Sequence, residues 1–189
     1  MLPYCRDCSI LQRANQRNMQ THQQKITSHA FFSPGDDCLN AIVESIDEVK
    51  KTMKICVFTI SDDRISEAIT RAYKRGISIK IITDNNKLHD AGSDIKELAA
   101  RGMEVRIDKT RSHMHHKFAI FDEARVLTGS YNWTRSAAQH NHENILITDN
   151  FSIVQDFSRE FDKLWGSMMK YNPGGKSREE FRKNLDEEY

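Results

Sequence analysis

Three short apolar runs, "MKICVFTI" (53–60), "ISIKIIT" (77–83) and "MEVRID" (103–108), alternate with two helical patterns, and few folds accommodate that order. The first two runs are nearly continuous and rich in β-branched residues, so both faces of each strand need cover. Between them "SDDRISEAITRAYKRG" opens on a capping Ser61 or Asp62 and stops at Gly76, as a helix with a C-terminal glycine should. "GSDIKELAARG" is a second, shorter helix. A βαβαβ series of this kind implies right-handed crossovers and parallel pairing between helix layers.

Upstream, "SPGDDCLNAIVESIDEVKK" predicts a helix over about 36–51: Ser33 can cap it, Pro34 suits its first turn, and Leu39, Ile42, Val43, Ile46 and Val49 recur at helical spacing. Downstream the order changes. "HKFAIF" and "RVLTGS" are separated by the short turn around "DEAR", which is hairpin spacing. "NWTRSAAQH" makes a helical turn or two, and "ENILIT" is another strand. "DNFSIVQDFSREFDKLWGSMMKY" is a long amphipathic helix with Phe151, Val154, Phe157, Phe161, Leu164 and Trp165 on one side. The expected fold class is α/β, a mixed and largely parallel β-sheet sandwiched between helix layers. Residues 1–30 read as a polar arm or marginal helix, 31–171 as the folded domain and 172–189 as a charged tail.

A chain of 189 residues can bury one real core. Its 28 Lys plus Arg against 27 Asp plus Glu leave a formal charge of +1, so any polyanion must be held by a local patch. The four cysteines (5, 8, 38 and 56) form no dense disulfide framework, and Cys56 sits in an apolar run. A reducing, cytoplasmic setting is expected. No apolar stretch approaches the ~20 residues of a membrane span, and the first residues lack the order of a signal peptide, so no membrane anchor is expected. Cys5 and Cys8 are a lone C-x-x-C pair, a weak zinc signal.

The chemistry concentrates in "HMHHKFAIFDEARVLTGSYNW" (113–133). In a strand starting at His115, that residue and Lys117 share a face while His116 and Phe118 take the other. A neutral imidazole beside a fixed ammonium suits attack on an anionic phosphate, because the lysine offsets the charge that repels a nucleophile. Gly129 allows close backbone approach, and Ser130 and Asn132 offer uncharged donors to phosphate oxygens. Glu143 opens the next strand, where it can accept a hydrogen bond from the far nitrogen of His115. A general acid is missing from this set.

His113, His116, His140 and His142 are candidate metal ligands, but a metal would need nearby carboxylates and would stand against the Lys117 ammonium. No metal or other cofactor is expected, and these histidines read as rim residues, with His113 and His142 placed to touch substrate. Tyr131 and Trp133 read as packing rather than as base-stacking groups. Lys109 and Arg111, just before the motif, are the candidate substrate groove. Arg64, Arg71, Lys74 and Arg75 on the earlier helix read as a solvated face.

The series His115-x-Lys117, four residues, Asp122, six residues, Gly129-Ser130-x-Asn132 resembles the HKD signature of the phospholipase D superfamily. Glu143 sits where single-motif nucleases of that superfamily carry their histidine-orienting glutamate, and the likeness runs over roughly residues 31–170. The resemblance implies an α/β/α phosphodiesterase that needs no metal, in which one histidine attacks phosphorus and a second protonates the leaving oxygen. With one motif per chain, it implies a homodimer in which His115 of each copy takes one role, and products with 5′-phosphate ends. Asp122 belongs to the signature but is expected on the opposite face from His115, so a structural role at the turn is as well supported as a chemical one. Some members carry a membrane-spanning N-terminus and a zinc-binding insertion; neither pattern is found in the corresponding part of this chain. The favoured partner is therefore nucleic acid, DNA or RNA. A phospholipase or phosphatidyltransferase and an idle nucleic-acid-binding module are the rivals.

Overall fold

The computed structural model describes residues 25–90 and 92–174. The strands are β1 (Ser28–Phe32), β2 (Thr52–Val57), β3 (Ile60–Ser61), β4 (Ser78–Thr83), β5 (Glu104–Ile107), β6 (Lys117–Phe121), β7 (Arg125–Gly129), β8 (Trp133–Thr134), β9 (Asn144–Thr148) and β10 (Met169–Lys170). The helices are α1 (Asp37–Glu48), α2 (Asp63–Lys74), α3 (Ile95–Ala100), α4 (Arg135–Gln139) and α5 (Phe151–Ser167), with a 3-10 turn at Asn85–His89. Eight strands form one mixed sheet in the order β1-β9-β7-β6-β2-β4-β5-β10, and β3 pairs with β8 apart from it. Parallel pairing within the large sheet is confined to β2–β4–β5, the βαβαβ portion; β6–β7 is the expected hairpin.

Strand alternation sorts the core into two layers. Met53, Ile55, Ile79, Ile81, Val105, Ala119, Phe121 and Leu127 pack with buried residues of α1 to α4. Cys56, Ile82, Phe118, Ile120 and Val126 pack with α5 through Val154 and Phe161. Lys54 interrupts the second layer, its ammonium 2.8 Å from Glu123 and 2.9 Å from Asp162. Asp62 caps α2 as expected, accepting from the Arg64 N–H, and Gly76 follows the helix with φ +85°.

Several local expectations change. The domain begins before residue 31: Ser28–Phe32 pair with β9 as an edge strand. That strand is mostly exposed and has no two-sided apolar run, so its own sequence carries little strand signal; β9 supplies the pairing. Ser33 does not cap α1, whose N-cap is Asp36. Its hydroxyl donates to the Asn141 carbonyl and accepts from the Glu143 N–H, tying the end of β1 to the start of β9. Phe151 has the right period but is 75% exposed, because burial along α5 starts one turn later at Val154. Arg64, Arg71 and Arg75 are engaged by Asp36, Asp62 and Asp47 rather than simply solvated. Cys5, Cys8, most of the arm and most of the tail lie outside the described residues.

The hairpin turn explains Asp122. Asp122 and Glu123 both have φ +54°, and the Asp122 carboxylate accepts from the N–H groups of Lys50, Lys51 and Thr52 at 2.7–3.0 Å. Burial pushes this carboxyl up, but the three backbone donors and Arg125 outweigh it and hold it below the ordinary carboxylate range. Asp122→Ala should lower stability by about 1–3 kcal/mol at neutral pH, the cost of stranding such donors. Because the folded pKa is depressed, the contribution is present above the unfolded pKa and lost as pH falls through the folded one. Urea midpoints of the two proteins should therefore converge in acid; a gap that stays constant would sink this account.

Candidate active site

The antiparallel turn of the sheet brings one set of strand ends together. Val57 at the end of β2 pairs with Lys117 at the start of β6, Phe118 pairs with Thr128, and Gly129 at the end of β7 pairs with Ile145 in β9. The C-terminal ends of β2, β4 and β7 thus share an edge with the N-terminal ends of β6 and β9. Polar groups leaving these strands converge where open α/β sheets commonly bind ligands.

Lys117 is 8% exposed, and its ammonium lies 2.8 Å from His115 Nδ1 while donating to the His115 carbonyl at 2.7 Å. The expected pair therefore meets, though β6 starts at Lys117 rather than at His115; the lysine side chain folds back onto the preceding turn. Partial burial depresses the His115 pKa, and the charges of Lys117, His113 and His116 depress it further against the opposing pull of Asp84. Burial also lowers Lys117, with Glu143 opposing. The result is an imidazole that stays neutral beside a cation. With the ammonium donating to Nδ1, the ring hydrogen of neutral His115 rests on Nε2.

The remaining candidates take varied places. Gly129 makes its close approach to β9: a Cβ there would stand 2.0 Å from the Asn144 carbonyl oxygen and 2.8 Å from Ile145 Cα. That packing, rather than room for a phosphate, requires glycine. Ser130 bonds the same residue twice, donating its N–H to the Asn144 carbonyl and accepting the Asn144 N–H on its hydroxyl, whose hydrogen stays available. Asn132 keeps its Oδ1 buried with no hydrogen-bond partner among the described residues, an arrangement concentrated at strained or functional positions. Tyr131 and Trp133 on either side are fully buried and pack in the core. Glu143 forms no hydrogen bond to His115; it accepts from Asn141 Nδ2 at 3.1 Å and acts electrostatically on Lys117.

Two residues at the site carried no motif signal. Phe58, just past β2, packs its ring against His115 at 4.7 Å and His113 at 5.4 Å, with the Lys117 and Lys87 ammonium groups each 5.2 Å from its centroid. Asp84, just past β4, is fully buried and accepts from the Asn86 and Met114 N–H groups, with one oxygen 3.1 Å from His113 Nδ1. The usable signal for both was position, since each follows the C-terminal end of a parallel strand.

A cavity of about 290 Å³ adjoins the imidazole, lined among others by Lys109, His113, Met114, His115, Leu164 and Met168. Arg111 is exposed and is not among its lining residues. His116 turns its ring toward Phe118 at 5.5 Å, and His140 and His142 are exposed. Among the described residues no group of three or more His, Cys, Asp or Glu side chains is gathered to hold a metal ion.

Comparisons with known proteins point the same way. The family described as "Cardiolipin synthase, PLD-like domain" matches residues 42–165. A mitochondrial cardiolipin hydrolase of Chlamydomonas reinhardtii is 40% identical over 137 residues, covering 72% of this chain and 61% of the relative. The chain spans about three fifths of the length of this relative and of two Xenopus cardiolipin hydrolases that it also matches. Among solved structures, NucT from Helicobacter pylori is 26% identical with a TM-score of 0.72, covering 78% of this chain and 100% of that one. Nuc from Salmonella typhimurium, a phospholipase D family member, shares the fold at a TM-score of 0.73 and 24% identity, covering 78% of this chain and 99% of that one.

Proposed function

The chain belongs to the phospholipase D-like family, and from that membership we propose that it is a metal-independent phosphodiesterase, an endonuclease that cuts DNA or RNA through a phosphohistidine at His115. The observation that carries this reading is the buried Lys117 ammonium 2.8 Å from the imidazole. It supplies beside the nucleophile the positive charge that a phosphate needs and that a metal would otherwise bring.

Phosphate entry draws Lys117 onto the phosphate oxygens and frees His115 Nδ1. The ring hydrogen then moves to Nδ1, Glu143 turns from Asn141 to accept its hydrogen bond, and the Nε2 lone pair attacks phosphorus. The P–O bond to the leaving oxygen breaks, and that oxygen takes a proton from a general acid. Water next attacks phosphorus and gives its proton to the same group, now a base, as the P–N bond breaks. Ser130 and Asn132 donate to the phosphate oxygens, and the product carries a 5′-phosphate.

The acid is His115 of a second copy, in a homodimer whose site lies on the two-fold axis. If both imidazoles are needed, mixing equal amounts of unmodified and His115→Ala chains and letting them re-equilibrate should leave about one quarter of full activity, against about one half for independent sites. Activity proportional to the unmodified fraction would sink the shared site.

A lipid substrate is the second reading, supported by the name of the cardiolipin hydrolase relatives and by the apolar Met114, Leu164 and Met168 in the cavity wall. Nucleic acid is preferred for Lys109 in the cavity wall and for the Lys87 ammonium 5.2 Å from the centroid of Phe58, the ring that packs against His115. Among the described residues no helix is long and apolar enough to cross a membrane. Among the described residues Cys38 and Cys56 are free and buried. The purified chain should cut DNA or RNA in excess EDTA and leave cardiolipin vesicles intact. Loss of all activity in EDTA would sink the metal-free mechanism, and cleavage of cardiolipin alone would establish the lipid reading.

A further inference from the structure

We propose that His113, held by Asp84, is a second phosphate-binding station that takes the phosphodiester next to the one attacked at His115. It rests on the nucleic-acid reading above. Asp84 has no exposed surface and already accepts two backbone N–H groups, from Asn86 and Met114, so its own satisfaction does not require His113. Yet the same oxygen that takes the Met114 N–H lies 3.1 Å from His113 Nδ1. A buried carboxylate on one ring nitrogen fixes both the orientation and the tautomer of an imidazole, leaving Nε2 on the edge away from the bond.

The His113 side chain is 55% exposed, lines the same cavity as His115 and packs edge-on against Phe58, the ring that also supports His115. Two imidazoles on one aromatic ring, two residues apart, face one ligand with different holders. His115 is paired with an ammonium and is kept neutral for attack. His113 is paired with a carboxylate at Nδ1, and a phosphate arriving at Nε2 brings the second acceptor that an imidazolium, with its two N–H groups, can bond. The charged and titratable groups around it include Asp84, Asp108, Lys87, Lys109, His115, His116 and Lys117. A phosphate at Nε2 and the Asp84 carboxylate at Nδ1 would therefore each accept one of the two ring N–H groups and hold the imidazole between them.

A substrate with a single phosphate cannot use this station. The test is steady-state kinetics of the full chain on a short oligonucleotide and on bis(p-nitrophenyl) phosphate. His113→Ala should raise KM on the oligonucleotide by about tenfold more than on the small diester, the worth of one charge-assisted contact. The slope of log affinity against log salt for the oligonucleotide should fall by about 1. His113→Lys, which restores a cation, should recover part of both, and Asp84→Asn, which keeps an acceptor without the charge, should reproduce the selective rise.

Equal losses on the two substrates would place His113 at the reacting phosphate or in the scaffold and overturn the proposal, as would an unchanged oligonucleotide KM. An unmodified chain that hydrolyses the small diester but no oligonucleotide would overturn the nuclease reading and this station with it.

Discussion

Replacing His115 by alanine should lower phosphodiester turnover by about 10⁴-fold or more, the scale seen when a covalent nucleophile is removed and only binding and electrostatics remain. His115 is exposed, its ring resting against Phe58 beside the Lys117 ammonium and outside the core, so the thermal midpoint should barely move. The unmodified chain, mixed with phosphorus-labelled substrate and quenched in base, should retain label that acid releases, because a P–N bond survives alkali and is cleaved by acid. In His115→Ala that label should vanish.

The pH dependence follows from sign. Burial, then Lys117, His113 and His116, hold the His115 pKa below its ordinary value, so the neutral nucleophile persists to lower pH and the acid limb of turnover should sit below the usual histidine range. Lys117→Gln removes one depressing charge and should shift that limb upward as well as slow the reaction. Label on another residue, or substantial turnover without His115, would end the phosphohistidine reading.

Gly129→Ala should be the most damaging change to stability outside the deep core. A Cβ at that position meets only backbone, 2.0 Å from the Asn144 oxygen and 2.9 Å from its carbonyl carbon, so no side chain can rotate away. The β7–β9 ladder must open instead, at a cost of about 3 kcal/mol or more by analogy with overpacked cores. The same movement pulls Ser130 off Asn144 and shifts the residues leading to Glu143, so activity should fall with stability. A denaturant midpoint equal to that of the unmodified chain would show that β9 does not lie against Gly129.

Some of the site was legible because its signal is local. Lys117 reaches His115 two residues away, a distance set by the side chain and one turn of backbone, so spacing alone predicted the contact. Asp122 was legible as a turn residue but its partners were not, since Lys50, Lys51 and Thr52 arrive from some 70 residues away. Glu143 shows the opposite failure. Its place near the motif was foreseen, but the structure gives its carboxylate to Asn141, a neighbour two residues away that competes for it. Phe58 escaped notice because an aromatic residue at the end of an apolar run reads as core until the sheet shows which end it occupies.

The amino-acid sequence by itself determined the alternation of strands and helices, the β6–β7 hairpin, the α2 cap and the pairing of His115 with Lys117, all of which rest on periods and spacings within one or two elements. The tertiary structure alone decided that β1 closes the sheet against β9, that Gly129 is needed for strand packing, and that Asp84 takes hold of His113. These are pairings between segments tens of residues apart. Their free energy comes from register and burial that exist only once the strands are side by side, and no local pattern records which distant backbone will arrive.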